Sequence, residues 1–148
     1  MLSKSCVYGI RAVLYLTLNG DRQFVSIKEI AQKLDISFHF LTKILQVLTQ
    51  HGLIASFKGP KGGVKLAREP QQISILDIII TLDGEGLFDQ CILGLPGCMD
   101  KKPCPLHEEW QEQREKLKQN FKSADLKNLA LKIRKDGLRL YEVNTVQN

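Results

Sequence analysis

Three of the four cysteines and one of the three histidines fall between Cys91 and His107, in the stretch CILGLPGCMDKKPCPLH. Glycine and proline break this segment, and it has no helical or strand period that would hide thiols in a core. Soft donors on an irregular loop suggest a metal centre. The spacing Cys91-x6-Cys98-x5-Cys104-x2-His107 is wider than the C-x2–4-C pairs of structural zinc modules, and it differs from the ferredoxin run C-x2-C-x2-C. Thiolates arriving one at a time around a wrapping loop fit a larger inorganic body, an iron-sulfur cluster held by three cysteines and one further ligand. The same thiols also allow a zinc site or a thiol switch. His107 counts slightly against pure disulfide chemistry, which does not need it.

The rest of the chain must position that loop. Its 148 residues suit one domain, or a small domain with an extension that packs on a partner. No apolar run is long enough to span a membrane, and no leader-like segment precedes a small-residue cleavage site, so a cytoplasmic protein is expected. In a reducing compartment, four cysteines read as ligands or sensors rather than disulfides. The net charge of +5 is unevenly spread: residues 1–70 hold ten Lys/Arg against four Asp/Glu, and residues 71–148 hold eleven against twelve. A cationic first half joined to a charge-mixed second half is what nucleic-acid binding plus self-association requires.

Val7, Ile10, Val13 and Leu14 predict an amphipathic helix over residues 3–18, with Cys6 on its first turn as a small buried hydrophobe. Ser26-Ile27-Lys28-Glu29 reads as a capping box, followed by Ile30, Ala31 and Leu34. After a break at Asp35-Ile36, Ser37 caps a second helix whose inner stripe is Leu41, Ile44, Leu45 and Leu48. Two helices around a tight turn form a helix-turn-helix. The outer face of the second carries His39, Lys43, Gln46 and Gln50, side chains suited to base edges and phosphates. Leu53–Phe57 and Val64–Ala67 pair as a β-wing around the lysine- and glycine-rich tip Lys58-Gly59-Pro60-Lys61-Gly62-Gly63. The tip lacks the GxxxxGK[ST] order of a nucleotide-binding loop. Ser74 caps a helix ending at Gly84. A charged helix from Glu108 to about Lys122 bears the sparse stripe Leu106, Trp110, Leu117 and Phe121, read as a dimer seam. Leu126, Leu129, Ala130 and Ile133 mark a last helix before Gly137, and the tail from Leu138 is mixed.

SKSCVYGIRAVLYL, GLIASFKGPKGGVKLA, ISILDIIITLDG and the three-cysteine loop together resemble the IscR/NsrR-type (Rrf-two) family of bacterial winged-helix regulators over nearly the whole chain. The resemblance implies a mainly α fold: a winged helix-turn-helix domain with a small β-wing (1–83), a cysteine-rich cluster-binding loop (84–107), and a dimerisation helix with a C-terminal helix and tail (108–148). It implies a homodimer on palindromic double-stranded DNA and an iron-sulfur cluster, 2Fe-2S in preference to 4Fe-4S. By position, Cys91, Cys98 and Cys104 match the cluster thiolates and His107 the histidine ligand of the IscR branch. Cys6 from the partner subunit is a lesser alternative, because the neighbouring Val7 stands where NsrR-type relatives carry a carboxylate ligand. Ser37, His39, Phe40, Thr42 and Lys43 fall where the family's recognition helix reads DNA, and Lys58 where an arginine enters the minor groove. The full expected DNA-contacting set adds Ser26, Lys28, Gln46, Gly59, Lys61, Gly62 and Lys65. Two departures bear on transfer: the first loop spacing is one residue longer than in the IscR branch, and Thr42 replaces a glutamate.

The expectation is therefore a transcription regulator whose DNA binding follows cluster state. An iron-sulfur electron-transfer protein is the alternative from another class, but it leaves the basic wing without a role. No nucleophile–base pair or paired carboxylates point to an enzyme, and Asp83, Glu85 and Asp89 read as loop solvation.

Overall fold

The structure is a computed structural model that describes residues 1–141. Helix α1 (Lys4–Leu18) starts at Ser3, whose hydroxyl oxygen accepts from the Cys6 amide. Its second half, Ala12 to Thr17, is buried by the helices and the wing strand that follow it in the chain. The inward stripe differs from the expected one at its start. Cys6 is completely buried and Val7 is 40% exposed. Gly9 sets the approach to α4 (Ile75–Asp83), since a Cβ there would lie 2.5 Å from Leu82 Cδ1.

Helix α2 (Ile27–Leu34) is capped by Ser26, which accepts from the Glu29 amide at 3.1 Å. The reciprocal half of the expected capping box is missing. The Glu29 carboxylate accepts instead from Arg22 (2.7 Å) and from the Tyr15 hydroxyl (2.7 Å). The Arg22 guanidinium holds the Glu29 carboxyl below its ordinary pKa, and the trio ties α2 to α1. Asp35, left-handed at φ 54°, makes the tight turn, and Ser37 caps α3 (Phe38–Gln50). Leu41, Ile44, Leu45 and Leu48 are buried as expected.

Strands β1 (Ile54–Phe57) and β2 (Gly63–Leu66) pair antiparallel with Ile54 opposite Leu66 and Phe57 opposite Gly63. Val25 exchanges both backbone hydrogen bonds with Val64 (3.0 and 2.8 Å), which fixes the wing to the segment entering α2. A 3₁₀ turn (Pro70–Gln72) leads to α4, where Ser74 and Asp77 form a complete capping box. One short helix was not expected: α5 (Gly86–Asp89).

Helix α6 (His107–Ser123) uses its apolar stripe within its own chain. Leu117 and Phe121 pack on the core, and the Phe121 ring meets Phe88 of α5 edge-on at 6.2 Å. The lower half of the stripe read as a dimer seam thus packs on α4 and α5, while Leu106 at its upper end stays 43% exposed and no residue of α6 is fully buried. Helix α7 (Leu126–Asp136) returns to the winged domain, burying Leu126 and Ala130. Its start is pinned to that of α4 by the Leu126 amide on the Ile73 carbonyl (3.0 Å) and the Ile75 amide on the Ala124 carbonyl (2.9 Å). Within the expected third segment, 108–148, α7 packs on the winged core through Leu126 and Ala130, and α6 packs on α4 and α5. Most of the expected tail, residues 142–148, lies outside the described residues. No helix among the described residues is long and apolar enough to cross a membrane.

Candidate metal centre and nucleic-acid interface

Between α5 and α6 the chain turns at Gly94 and Gly97, both at φ 68°, a left-handed conformation that suits glycine. These turns bring Cys91, Cys98 and Cys104 together, with all three sulfurs within 4.8 Å of one another. Cys91 Sγ lies 3.7 Å from Cys104 Sγ, and Cys98 Sγ lies 3.3 Å from His107 Nδ1. Two donors on one tetrahedral metal atom with bonds of about 2.0–2.3 Å sit roughly 3.5–3.8 Å apart. Each pair therefore has nearly the span that one metal atom demands. On its other side, His107 Nε2 lies 3.0 Å from Asp100 Oδ1. A carboxylate only accepts, so Nε2 carries the proton and Nδ1 turns its lone pair toward the thiols.

The backbone amide of Leu95, with that of Leu93, holds the Cys91 thiol down to about 7 against an upward push from burial. Burial pushes the Cys98 thiol up, and its neighbours Cys91 and Cys104 add to the rise. Beyond the His107 contacts, α6 grips the start of the loop through the Gln90 carbonyl, which accepts from Trp110 Nε1 (3.0 Å) and Arg114 Nη1 (2.9 Å). Cys6 is not part of this group. Its thiol is buried in its own subunit's core, and burial, followed by the Asp83 charge, pushes its pKa up to about 12. That burial removes it as a ligand to a partner's cluster.

On the basic head, His39, Lys43 and Gln46 are exposed along α3, and Lys58, Gly59 and Lys61 at the tip of the wing. Lys28 is exposed on α2. Ser26 and Ser37 are exposed too, but each hydroxyl oxygen already accepts from a helix amide. Lys65 lies at the base of the wing, its ammonium 5.6 Å above Phe24 and 5.5 Å above Phe57. The glycines divide by role. Gly59 is open, while a Cβ on Gly62 would sit 2.2 Å from the Phe57 carbonyl oxygen, so Gly62 serves hairpin closure. The two aromatic residues of the first turn of α3 face different ways, and Phe40 is the one that was expected to contact DNA. Phe40 packs inward, edge-on to Tyr8 at 5.7 Å, whereas the Phe38 ring is 48% exposed.

A winged helix-turn-helix carrying a Cys/Cys/Cys/His loop has known counterparts. The family described as Rrf2, "Iron-dependent Transcriptional regulator", matches residues 2–132. The chain is a DNA-binding transcription regulator of the Rrf2 family.

A helix-turn-helix transcriptional regulator of Aquifex aeolicus is 35% identical over 131 residues, 87% of this chain and 90% of that one. Among solved structures, CymR (YrzC), the global cysteine regulator of B. subtilis, superposes with a TM-score of 0.76 at 30% identity, covering 88% of this chain and 96% of that one. T. potens IscR gives 0.76 at 25%, covering 94% and 92%. Within this Rrf2 fold, sequence reading missed Phe38, Asp100 and the Trp110–Arg114 pair on Gln90. Phe38 lies on the flank of the α3 stripe, where periodicity leaves the direction open. Asp100 is only two residues from Cys98, a proximity that spacing rules for ligands do not score. Only contact across the fold reveals the Gln90 anchor.

Proposed function

We propose that this Rrf2-family regulator is a cytoplasmic homodimer that binds palindromic DNA according to the state of an iron-sulfur cluster held by Cys91, Cys98, Cys104 and His107. The observation that carries this reading is the pairing of donors on the loop, Cys91 with Cys104 and Cys98 with His107, each near the span of one metal atom. Cys91, Cys98, Cys104 and His107 would together hold the cluster, 2Fe-2S by the likeness to the IscR branch. When bound, the cluster supplies a one-electron redox centre and an oxygen- and nitric-oxide-sensitive inorganic core. The IscR name of a structural neighbour points the same way.

The chain's own residues supply the transmission. Asp100 orients His107, and ligation by residues 91–107 fixes a loop whose Ile92, Leu93, Leu95 and Met99 are otherwise half-exposed or more. Trp110 and Arg114 read the loop's position through the Gln90 carbonyl and pass it to α6. Upstream of α5 and the loop, the end of α4 is tied to α1, because Asp83 accepts from both the amide and the hydroxyl of Ser3. Shifting α6 in a homodimer changes the distance between two recognition helices, which DNA accepts only near one helical turn. A coupling of about 1–3 kcal/mol changes operator occupancy 5- to 150-fold.

Anaerobic purification with absorption and electron paramagnetic resonance spectra, and counts of iron, sulfide and zinc, tests the cofactor. Two irons and two sulfides per chain are expected. Iron-free protein that resists reconstitution with iron and sulfide defeats the proposal. Mobility shifts of holo, apo and Cys104→Ala protein test the switch, and equal affinities in all three remove it.

A second reading has its own observation. Cys91 and Cys104 are 3.7 Å apart, and Cys91 is held down to about 7. A peroxide could join them by two-electron oxidation, closing the sulfurs to about 2.05 Å. Iron and sulfide counts separate the two readings.

A further inference from the structure

We infer that Phe38 and Thr42 read thymine 5-methyl groups, so that half-site choice depends on apolar contact in the major groove as well as on hydrogen bonds. The inference rests on α3 being the DNA-reading helix. Three observations carry it. Phe38 is a large aromatic ring, 48% exposed, on the first turn of α3, and it is not committed to the core as Phe40 is. Thr42, one helical turn on, gives its hydroxyl proton to the Phe38 carbonyl at 2.7 Å. That proton is unavailable to a base, so Thr42 offers a methyl group and an acceptor lone pair.

The third observation is the charge around the pair. Lys28, Lys43, Lys58 and Lys61 are exposed on α2, α3 and the wing, and such a polycationic surround suits a polyanion rather than an apolar protein partner. The Phe38 ring also makes a T-shaped contact with His39, with centroids 5.8 Å apart. In the major groove the only apolar group on any base pair is the thymine methyl, and Phe and Thr methyl are side chains that contact it.

The test starts with the full-length protein and a random duplex pool, from which a bound site is enriched. Each thymine of that site is then replaced by uracil, which deletes only the methyl group, and affinity is measured by fluorescence anisotropy at fixed salt. Burial of one methyl predicts about fourfold weaker binding per half-site at one or two positions. Phe38→Ala removes the penalty at one of them. Thr42→Ser, which keeps the hydroxyl and deletes the methyl, removes it at the neighbouring one. Circular dichroism of both variants matches the parent, because neither side chain is in the core.

An enriched site at which every uracil is neutral overturns the inference and leaves the DNA-binding reading standing. So do uracil penalties that persist unchanged in both variants. Phe38→Ala protein that changes oligomeric state with its thymine dependence intact assigns the ring to a protein interface, which also overturns it. A pool that yields no enriched sequence defeats the DNA reading, and this inference with it.

Discussion

The winged head and the cysteine loop are built on opposite principles. The head carries a continuous buried core from Cys6 through Leu126, and five of its helices begin at a Ser or Asp side chain that accepts from a backbone amide. Its shape follows from its own burial. The loop from Cys91 to Leu106 contributes nothing to that core and exposes Ile92, Leu93, Leu95 and Met99. What shapes it is a set of donors and the single anchored carbonyl of Gln90. On the proposed function this division has a use: the part that meets DNA holds its shape, and the part proposed to answer a signal is free to lose it.

The sharpest contrast is between cysteines of the two regions. With its pKa pushed up to about 12 and its side chain buried, Cys6 is almost wholly thiol at neutral pH. Cys91, held down to about 7, is about half thiolate there. In reduced, metal-free protein, iodoacetamide labelling of Cys91 is expected to rise with pH through about 7, because only the thiolate attacks. Cys6 stays unlabelled until the protein unfolds. Mass spectrometry of labelled peptides gives both rates, and comparable labelling of Cys6 and Cys91 in folded protein would erase the distinction.

Stability sets the next test. Leu41→Ala deletes a fully buried side chain and should cost about 2–5 kcal/mol in urea unfolding. Cys104→Ala in metal-free protein removes no core contact and should change stability by less than about 0.5 kcal/mol. If Cys104→Ala costs as much as Leu41→Ala, the loop belongs to the folding core.

The same division explains what was legible in the sequence. Local rules placed the helix starts at Ser26, Ser37 and Ser74, the inner stripe of α3, the hairpin to within a residue, and the approximate extent of α6 and α7. Each of these depends on near neighbours along the chain. Partners distant in sequence were not legible. Glu29 was expected to turn back on Ser26 and reaches Arg22 and Tyr15 instead. The stripe of α6 was read as a dimer seam, and its lower end also has a partner within the chain, since Phe121 meets Phe88. Periodicity says that a face is buried and is silent about what buries it. For the loop, spacing nominated the donors, and the fold brings the three cysteines together and sets His107 beside Cys98. Asp100 emerged only once His107 had an orientation.

Asp100 tests how far the loop depends on polar positioning. Asp100→Ala frees His107 to carry its proton on Nδ1, the nitrogen facing Cys98. Partners of this kind are worth 10- to 100-fold in metal affinity, and with Asp100 85% exposed about tenfold is expected. Zinc competition against a chelator measures it in metal-free protein, and cluster half-life in air measures it in reconstituted protein. Unchanged values for both would mean that His107 is held by its packing alone.

The smallest effect probes the junction between the two regions. Arg114 donates from Nη1 to the Gln90 carbonyl, while its Nε is buried without a hydrogen-bond partner among the described residues. A buried donor left unmatched offsets much of what the other bond contributes. Arg114→Met keeps the aliphatic stem, removes the unmatched donor and deletes the grip on Gln90, so stability should hardly move. Metal binding should not move either, because Arg114 touches none of the four donors. What should change is communication: with Trp110 alone on the carbonyl, the ratio of loaded to unloaded DNA affinity is expected to shrink about fivefold, the worth of one hydrogen bond of about 1 kcal/mol. Paired anisotropy titrations of holo and apo protein read that ratio. If it survives Arg114→Met intact, the signal leaves the loop by another route, and the contact between Asp83 and Ser3 at the start of α1 becomes the next junction to cut.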